Sequence, residues 1–520
     1  MSAPERSAAD DGAGFSKGPA FGGAAAVSVI SASSSSPAPP PPPGGGGGGP
    51  FAACCCMRAE CCGCAYDPAA KGACCAWRLA CPPCWRRATC AWRCGICCCT
   101  ALAAVALAVV CLCIATAATV SVDCTALPGF APGDPAANVP VVFTPGITGS
   151  LLVRGGALVY LTAFQALGLG APPLALPAAW VGNIADAANT SLFYQAGDGA
   201  TVPSGAAGLI LDVRLTDCYA YEAYRTYVLW SQKCMRRPFY VFPYDWRRDM
   251  LEVGAAHLAF VRSVSAAHNF SKVQLVGHSL GGLLSLMTVN RAPGLVHSAV
   301  YVAAAATPSV GTLAGFNKPY TVGLSNDVSF PAASRVTLSS TYSFLALSPA
   351  DQSWQGPRLG FVDDATGAPV ALDLQNPQTW LDWGFTGLTG SSDPLFPALQ
   401  AAIARGALVR DALACSNATA FYPPSSVVTS HYNASMPSGV FAVNVAAKTV
   451  DWRPVGPPRP GDGSVCADCA SPCYPPSGGV FVSTSAAYSA HSLLMNDVKT
   501  LKAAMDAVGP YPSTPVPATG

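Results

Sequence analysis

Val273-Gln274-Leu275-Val276-Gly277-His278-Ser279-Leu280-Gly281-Gly282, running on into Leu283-Leu284-Ser285-Leu286-Met287-Thr288-Val289-Asn290-Arg291, is the stretch that decides the fold. Four apolar or amide residues read as a buried strand, and LLSLMTVNR reads as a helix. Between them lies G-x-S-x-G. Such a turn needs glycines on both sides because strand and helix approach closely there. It lifts the serine hydroxyl above the sheet edge, and the helix N-terminus behind it favours developing negative charge. The same pattern occurs at Gly14-Phe15-Ser16-Lys17-Gly18, but inside a low-complexity tail with no strand or helix beside it. Context makes Ser279, and not Ser16, the candidate nucleophile. A glycine-rich βα turn without chemistry is the plain alternative.

Working outward, further apolar runs bounded by turn residues read as strands at 139–144, 239–243, 299–305, 440–446 and 480–484. Helical patterns fall at 250–267, 280–291 and 492–508. Strands alternating with helices imply a mostly parallel α/β sheet.

A serine nucleophile on such a sheet needs an acid and then a histidine, in that chain order. The chain has six histidines, and three follow Ser279. His297 belongs to the end of the helix leaving the turn, and His431 lies in a polar loop. His491 follows the last strand and a short loop, where the base belongs. No glutamate follows Glu252, so the acid is an aspartate. Asp462, in Gly461-Asp462-Gly463-Ser464-Val465, lies in a turn-rich loop after the strand at 440–446 and before His491. An Asx turn is its non-chemical reading. Two backbone amides must hold an oxyanion. Leu280, directly after the nucleophile, is one candidate. Ile147, in the Thr144–Ser150 loop after the first strand, is the other.

PGITGSLL (145–152), PYDWRRD (243–249), GHSLGG (277–282), GDGSV (461–465) and HSLLMND (491–497) together resemble the lecithin:cholesterol acyltransferase family. That family includes the phospholipid:diacylglycerol acyltransferases and the lysosomal phospholipase A2. The resemblance covers roughly 138–508. It implies an α/β-hydrolase fold with a cap or lid insertion, and a triad of Ser279, Asp462 and His491. It implies a phospholipid acyl donor, a lipid-alcohol acceptor such as diacylglycerol or sterol, and no cofactor or metal in the chemistry. Water as acceptor would make the enzyme a phospholipase. A disulfide-closed lid loop is also implied, with Cys218 and Cys234 in the corresponding interval. Asp245 and Arg247 read as a bracing ion pair. A non-catalytic binding module on the same fold is the third reading.

The chain ahead of this domain has a different character. Of 520 residues only 11 % are charged and the net charge is +1, which gives no case for a nucleic-acid partner. Residues 1–50 are Pro-, Gly- and Ser-rich and too poor in apolar bulk to offset ordering entropy. Seventeen of 24 cysteines lie between Cys54 and Cys113. Residues 51–95 form a basic, cysteine-rich segment; C-x-x-C occurs at Cys61–Cys64, Cys81–Cys84 and, running past its end, Cys94–Cys97. It is open to acylation, to all-cysteine zinc binding, or to neither. No charge occurs from Cys94 to Val122, so a single membrane-spanning anchor is expected over 96–122. Five basic residues at 71–93 place the N-terminus in the cytosol and 123–520 in the lumen of the secretory pathway. N-x-S/T occurs at Asn189, Asn269, Asn417 and Asn433, all on that side.

Overall fold

The computed structural model describes 122–129, 138–160, 162, 165, 174–181, 194–216, 219–313 (270 apart), 320–322, 325–328, 332–348, 360–414, 422–436, 439–472 (457 apart) and 479–508. The tail over 1–50, the cysteine-rich segment and the expected anchor over 96–122 lie outside these residues, save Val122. Among the described residues no helix is long and apolar enough to cross a membrane.

Six strands form the central sheet: β1 (Val141–Thr144), β2 (Phe239–Val241), β3 (Val273–His278), β4 (Val296–Val302), β5 (Tyr422–Ser430) and β6 (Gly479–Ala487). Their spatial order is β6-β5-β4-β3-β1-β2, and all five pairings are parallel. β1 and β3 run as continuous buried stretches, as expected for strands covered on both faces. Alternation then sorts their side chains. Val141, Phe143, Val276 and Val300 pack on one face with helix α1 (Arg225–Lys233) and helix α5 (Val498–Ala507). Val142, Leu275 and Ala299 pack on the other with α2 (Met250–Ala267) and α3 (Leu280–Arg291). α2 starts where Asp249 accepts the N–H groups of Leu251 and Glu252, and Glu252 complements the dipole in the first turn. α3 is buried from Leu280 through Val289, so its apolar sequence faces protein all round.

The expected strand at 440–446 is a correction. Residues Phe441–Asn444 do extend, but in a separate four-stranded sheet with 361–363, 369–370 and 449–454. The main-sheet strand that precedes the acid loop is β5, read Tyr-Pro-Pro-Ser-Ser-Val-Val-Thr-Ser and fully buried. Its prolines sit where the register with β6 shifts, between Tyr422 and Ser426, which is where a sheet tolerates a missing N–H. The described residues between β4 and β5 contribute most of a second packing unit outside the sheet, called the cap below. Its own apolar core contains Tyr342, Trp380, Phe385 and Phe441. The long helix α4 (Phe396–Leu413) joins this cap to the sheet domain.

The cysteine pairing is also corrected. Cys234 bonds Cys124, not Cys218, and so ties the chain's entry to the end of α1. Cys218 itself is outside the described residues. A second disulfide joins Cys466 to Cys469, directly after the Asp462 loop. The strand order, the turn between β3 and α3, and the acid and histidine loops after β5 and β6 make this an α/β-hydrolase-like fold.

Candidate active site

Ser279 sits between β3 and α3 with φ 53° and ψ −119°. A non-glycine residue there is strained, and the surroundings enforce it. Gly277 and Gly281 allow the turn. A Cβ on Gly277 would lie 2.5 Å from the Gly281 oxygen, and one on Gly281 would lie 2.2 Å from the Thr144 oxygen.

The structure brings three of the expected residues into one hydrogen-bonded line. The Ser279 hydroxyl lies 2.9 Å from His491 Nε2, and His491 Nδ1 lies 2.6 Å from Asp462 Oδ2. The carboxylate facing Nδ1 places the proton there, so Nε2 accepts from the serine. Asp462 is buried, and its other oxygen accepts the N–H groups of Ser464 and Val465 at 2.8 and 2.7 Å. Burial works to raise its carboxyl. The opposing pull of His491 and these two amides outweighs that and holds it below the usual carboxylate value. The two loops also meet through backbone, since the His491 N–H donates to the Asp462 carbonyl at 2.9 Å. The other two histidines that follow Ser279 stand apart from this line. His297 is on β4, beside Ser298, and His431 is exposed after β5.

The Pro145–Ser150 loop follows β1 and lies against the serine. A Cβ on Gly146 would be 2.9 Å from Ser279 Cβ. The PYDWRRD block holds this loop from behind. The Tyr244 hydroxyl donates to the Pro145 carbonyl at 3.0 Å, and the Tyr244 N–H donates to Ser150 Oγ at 3.1 Å. The Trp246 indole N–H reaches the Ser150 carbonyl at 3.3 Å. Arg247 is fully buried and pairs with Asp245 at 2.7 Å, as expected, and also with Asp198 at 2.8 Å, which sequence reasoning missed. Burial disfavours the Asp198 carboxylate, but Arg247 and the Ala200 amide together bring it down to about 2. Below the loop, His257 bridges Thr144 Oγ1 at 2.9 Å and Thr288 Oγ1 at 2.7 Å, and burial presses it down to about 3.

Ile147 lies on this loop, half-buried, and Leu280 opens α3. Neither amide donates in any hydrogen bond found among the described residues outside helices and strands. Cys466, Asp468 and Cys469 cluster closely enough to hold a metal ion were the disulfide open, but Asp468 pairs with Arg459 at 3.0 Å.

The sequence matches no described protein-family profile and no curated protein. Solved structures resemble it distantly. A chain of the Tle4–Tli4 complex shares 14% identity over 72% of this chain and 98% of that one, with a TM-score of 0.43. Bacillus licheniformis lipase BlEst2 in its propeptide form shares 12% over 74% of this chain and 52% of that one, at 0.30. An acetylester hydrolase from Corynebacterium glutamicum shares 11% over 71% and 85%, at 0.21. The strand order and the turn at Ser279 define the fold independently of these likenesses.

Proposed function

We propose that the chain is a serine enzyme of lipid esters that works through an acyl-serine, and that its acceptor is a lipid alcohol. The observation that carries the chemistry is the Ser279–His491–Asp462 line, 2.9 and 2.6 Å long, set on a strained turn above the sheet. His491 Nε2 takes the Ser279 proton as Oγ attacks the ester carbonyl. The oxyanion forms against the Leu280 and Ile147 amides. The carbonyl–oxygen bond then breaks, and the leaving lysophospholipid hydroxyl takes the proton from His491. An acceptor hydroxyl gives its proton to Nε2, attacks the acyl-serine, and Ser279 recovers its proton. Asp462 stays ionised throughout and steadies the imidazolium. The resemblance in PYDWRRD and the loop motifs supports a phospholipid donor and a diacylglycerol or sterol acceptor. The apolar stretch over 96–122 would keep the domain at the membrane that supplies both. One observation favours water as acceptor instead: the His491 side chain is 17% exposed, so solvent has a route to the base.

The full-length protein in vesicles of phosphatidylcholine, labelled on one acyl chain, with diacylglycerol and a sterol, tests this, with Ser279→Ala as control. Label in triacylglycerol or steryl ester, absent from the control, supports the transferase. Label only in free fatty acid makes the enzyme a phospholipase. No label beyond the control removes the proposed enzyme altogether.

A further inference from the structure

Tyr224 and His278 belong to no element of the chemistry above, yet both are buried at its centre. The Gly146 N–H donates to the Tyr224 hydroxyl at 3.0 Å. That hydroxyl lies 3.0 Å from His278 Nδ1, and His278 Nε2 lies 3.0 Å from the His491 carbonyl oxygen. A carbonyl can only accept, so Nε2 carries the His278 proton and Nδ1 accepts from the tyrosine. Every donor then has an acceptor: Gly146 N–H to Tyr224 oxygen, Tyr224 O–H to Nδ1, Nε2–H to the His491 carbonyl. Burial, and then the neighbouring His491, push His278 down to about 3, which keeps the ring neutral and this order of donors intact.

The packing is built around that chain. Gly149 leaves room for the hydroxyl, since a Cβ there would come within 2.7 Å of it. The Tyr224 ring packs edge-on to Phe143 of β1 and to His278. The backbone on both sides of Tyr224 is held against the His491 turn by one side chain. Asn496 Nδ2 donates to the Glu222 carbonyl at 2.8 Å, and Asn496 Oδ1 accepts the Thr226 N–H at 3.3 Å.

We infer that Tyr224, acting through His278, is a positioning residue that sets the oxyanion loop and the His491 backbone relative to Ser279. One end of the chain is the loop that carries Ile147. The other is the residue that carries the base. This rests on the serine-enzyme reading above.

Tyr224→Phe removes only the hydroxyl, and His278→Asn keeps an acceptor near Nδ1 while losing reach to the His491 carbonyl. Full-length variants are counted by fluorophosphonate titration, so that misfolded protein drops out, and assayed with a nitrophenyl ester. A trifluoromethyl ketone, which forms a tetrahedral adduct on the serine, and an inert ether analogue of the ester are measured as inhibitors. Misplacing an oxyanion donor or a base by a fraction of an ångström costs about 10- to 100-fold. The expectation for Tyr224→Phe is a loss of that size in kcat per titrated site, with KM within about twofold. The ketone should weaken by the same factor as kcat/KM while the ether analogue does not. The double variant should lose little more than either single one, because both break one chain. Unchanged kcat per titrated site in both variants, equal weakening of the two inhibitors, or additive losses would overturn the inference. If Tyr224→Phe does not fold, His278→Asn alone is read by the same two inhibitors. Failure of the underlying reading shows differently, as a wild-type protein that does not label at all.

Discussion

Arg405 closes on both carboxylate oxygens of Asp249, at 2.9 and 2.7 Å, and both side chains are 98% buried. Asp249 is at the same time the cap of α2, and Arg405 belongs to α4. One buried ion pair therefore welds the cap's long helix to the helix that carries His257 under the loop after β1. Breaking such a pair from one side costs about 3–5 kcal/mol, because the remaining charge stays buried. Arg405→Met should lower the urea midpoint accordingly. Adding Asp249→Asn, which keeps a capping oxygen, should restore part of the loss. A cost under about 1 kcal/mol for Arg405→Met would mean that the pair opens in solution.

An isosteric amide separates the proposed role of Asp462 from folding. Asp462→Asn preserves the oxygen that accepts Ser464 and Val465, but sets an amide against His491 Nδ1–H. The imidazole then favours the other tautomer and loses its grip on the serine proton. A fall of about 10³- to 10⁴-fold in kcat is expected, with a melting temperature close to wild type. Retention of more than a tenth of kcat in a folded Asp462→Asn protein would exclude this carboxylate from the chemistry.

Parts of this architecture were legible in the sequence for definite reasons. The β3–turn–α3 unit announces itself because its glycines, its apolar strand and its helix are contiguous. α2 reads correctly over 250–267 because its apolar residues recur at helical spacing. β5 was not legible. Pro423 and Pro424 argue against an interior strand, and Ser425 and Ser426 look like a loop, yet all are buried at the register shift beside β6. The strand at 440–446 was real but its sheet was not foreseeable, since pairing with 361–363 depends on the cap's own core. Asp198 meets Arg247 across 49 positions, and Tyr224 meets Gly146 across 78. Neither contact leaves a local pattern, so only the assembled fold shows them.

Two glycines beside the serine should fail in different ways. A Cβ on Gly281 would press on the Thr144 and Pro145 carbonyls at 2.2 and 2.4 Å, which are backbone atoms of β1 and its loop. Gly281→Ala should thus cost about 1–3 kcal/mol or more and reduce the folded yield. A Cβ on Gly146 would instead meet Ser279 Cβ at 2.9 Å and His278 Nδ1 at 3.1 Å. A shift of a few tenths of an ångström relieves that contact, at the cost of the serine's alignment. Gly146→Ala should keep most of its stability and lose about 10- to 100-fold in kcat. Thermal melts and active-site titration on the two variants give the comparison, and a Gly146→Ala protein with wild-type kcat would contradict the close approach of loop and nucleophile.

Acid should destabilise the fold before Asp462 is protonated. Burial holds His257 and His278 at about 3, and burial followed by Arg237 and Lys272 draws His297 down to about 4. In the unfolded chain each binds a proton near pH 6.5. From there down to about pH 4 the unfolded state binds up to three protons that the folded state refuses. Stability must therefore fall as pH drops through that window, by up to about 1.4 kcal/mol per pH unit for each histidine. Asp462 adds nothing in this range, because its carboxylate is ionised in both states. With its folded value depressed, its contribution is present above about pH 4 and lost only as pH falls through that lower value. Urea unfolding at pH 7, 6 and 5 should show the slope steepening toward three protons. His257→Gln should reduce the slope by one proton whatever it does to stability at neutral pH. A flat profile between pH 7 and 5 would mean that these imidazoles are reached by water and protonate in place.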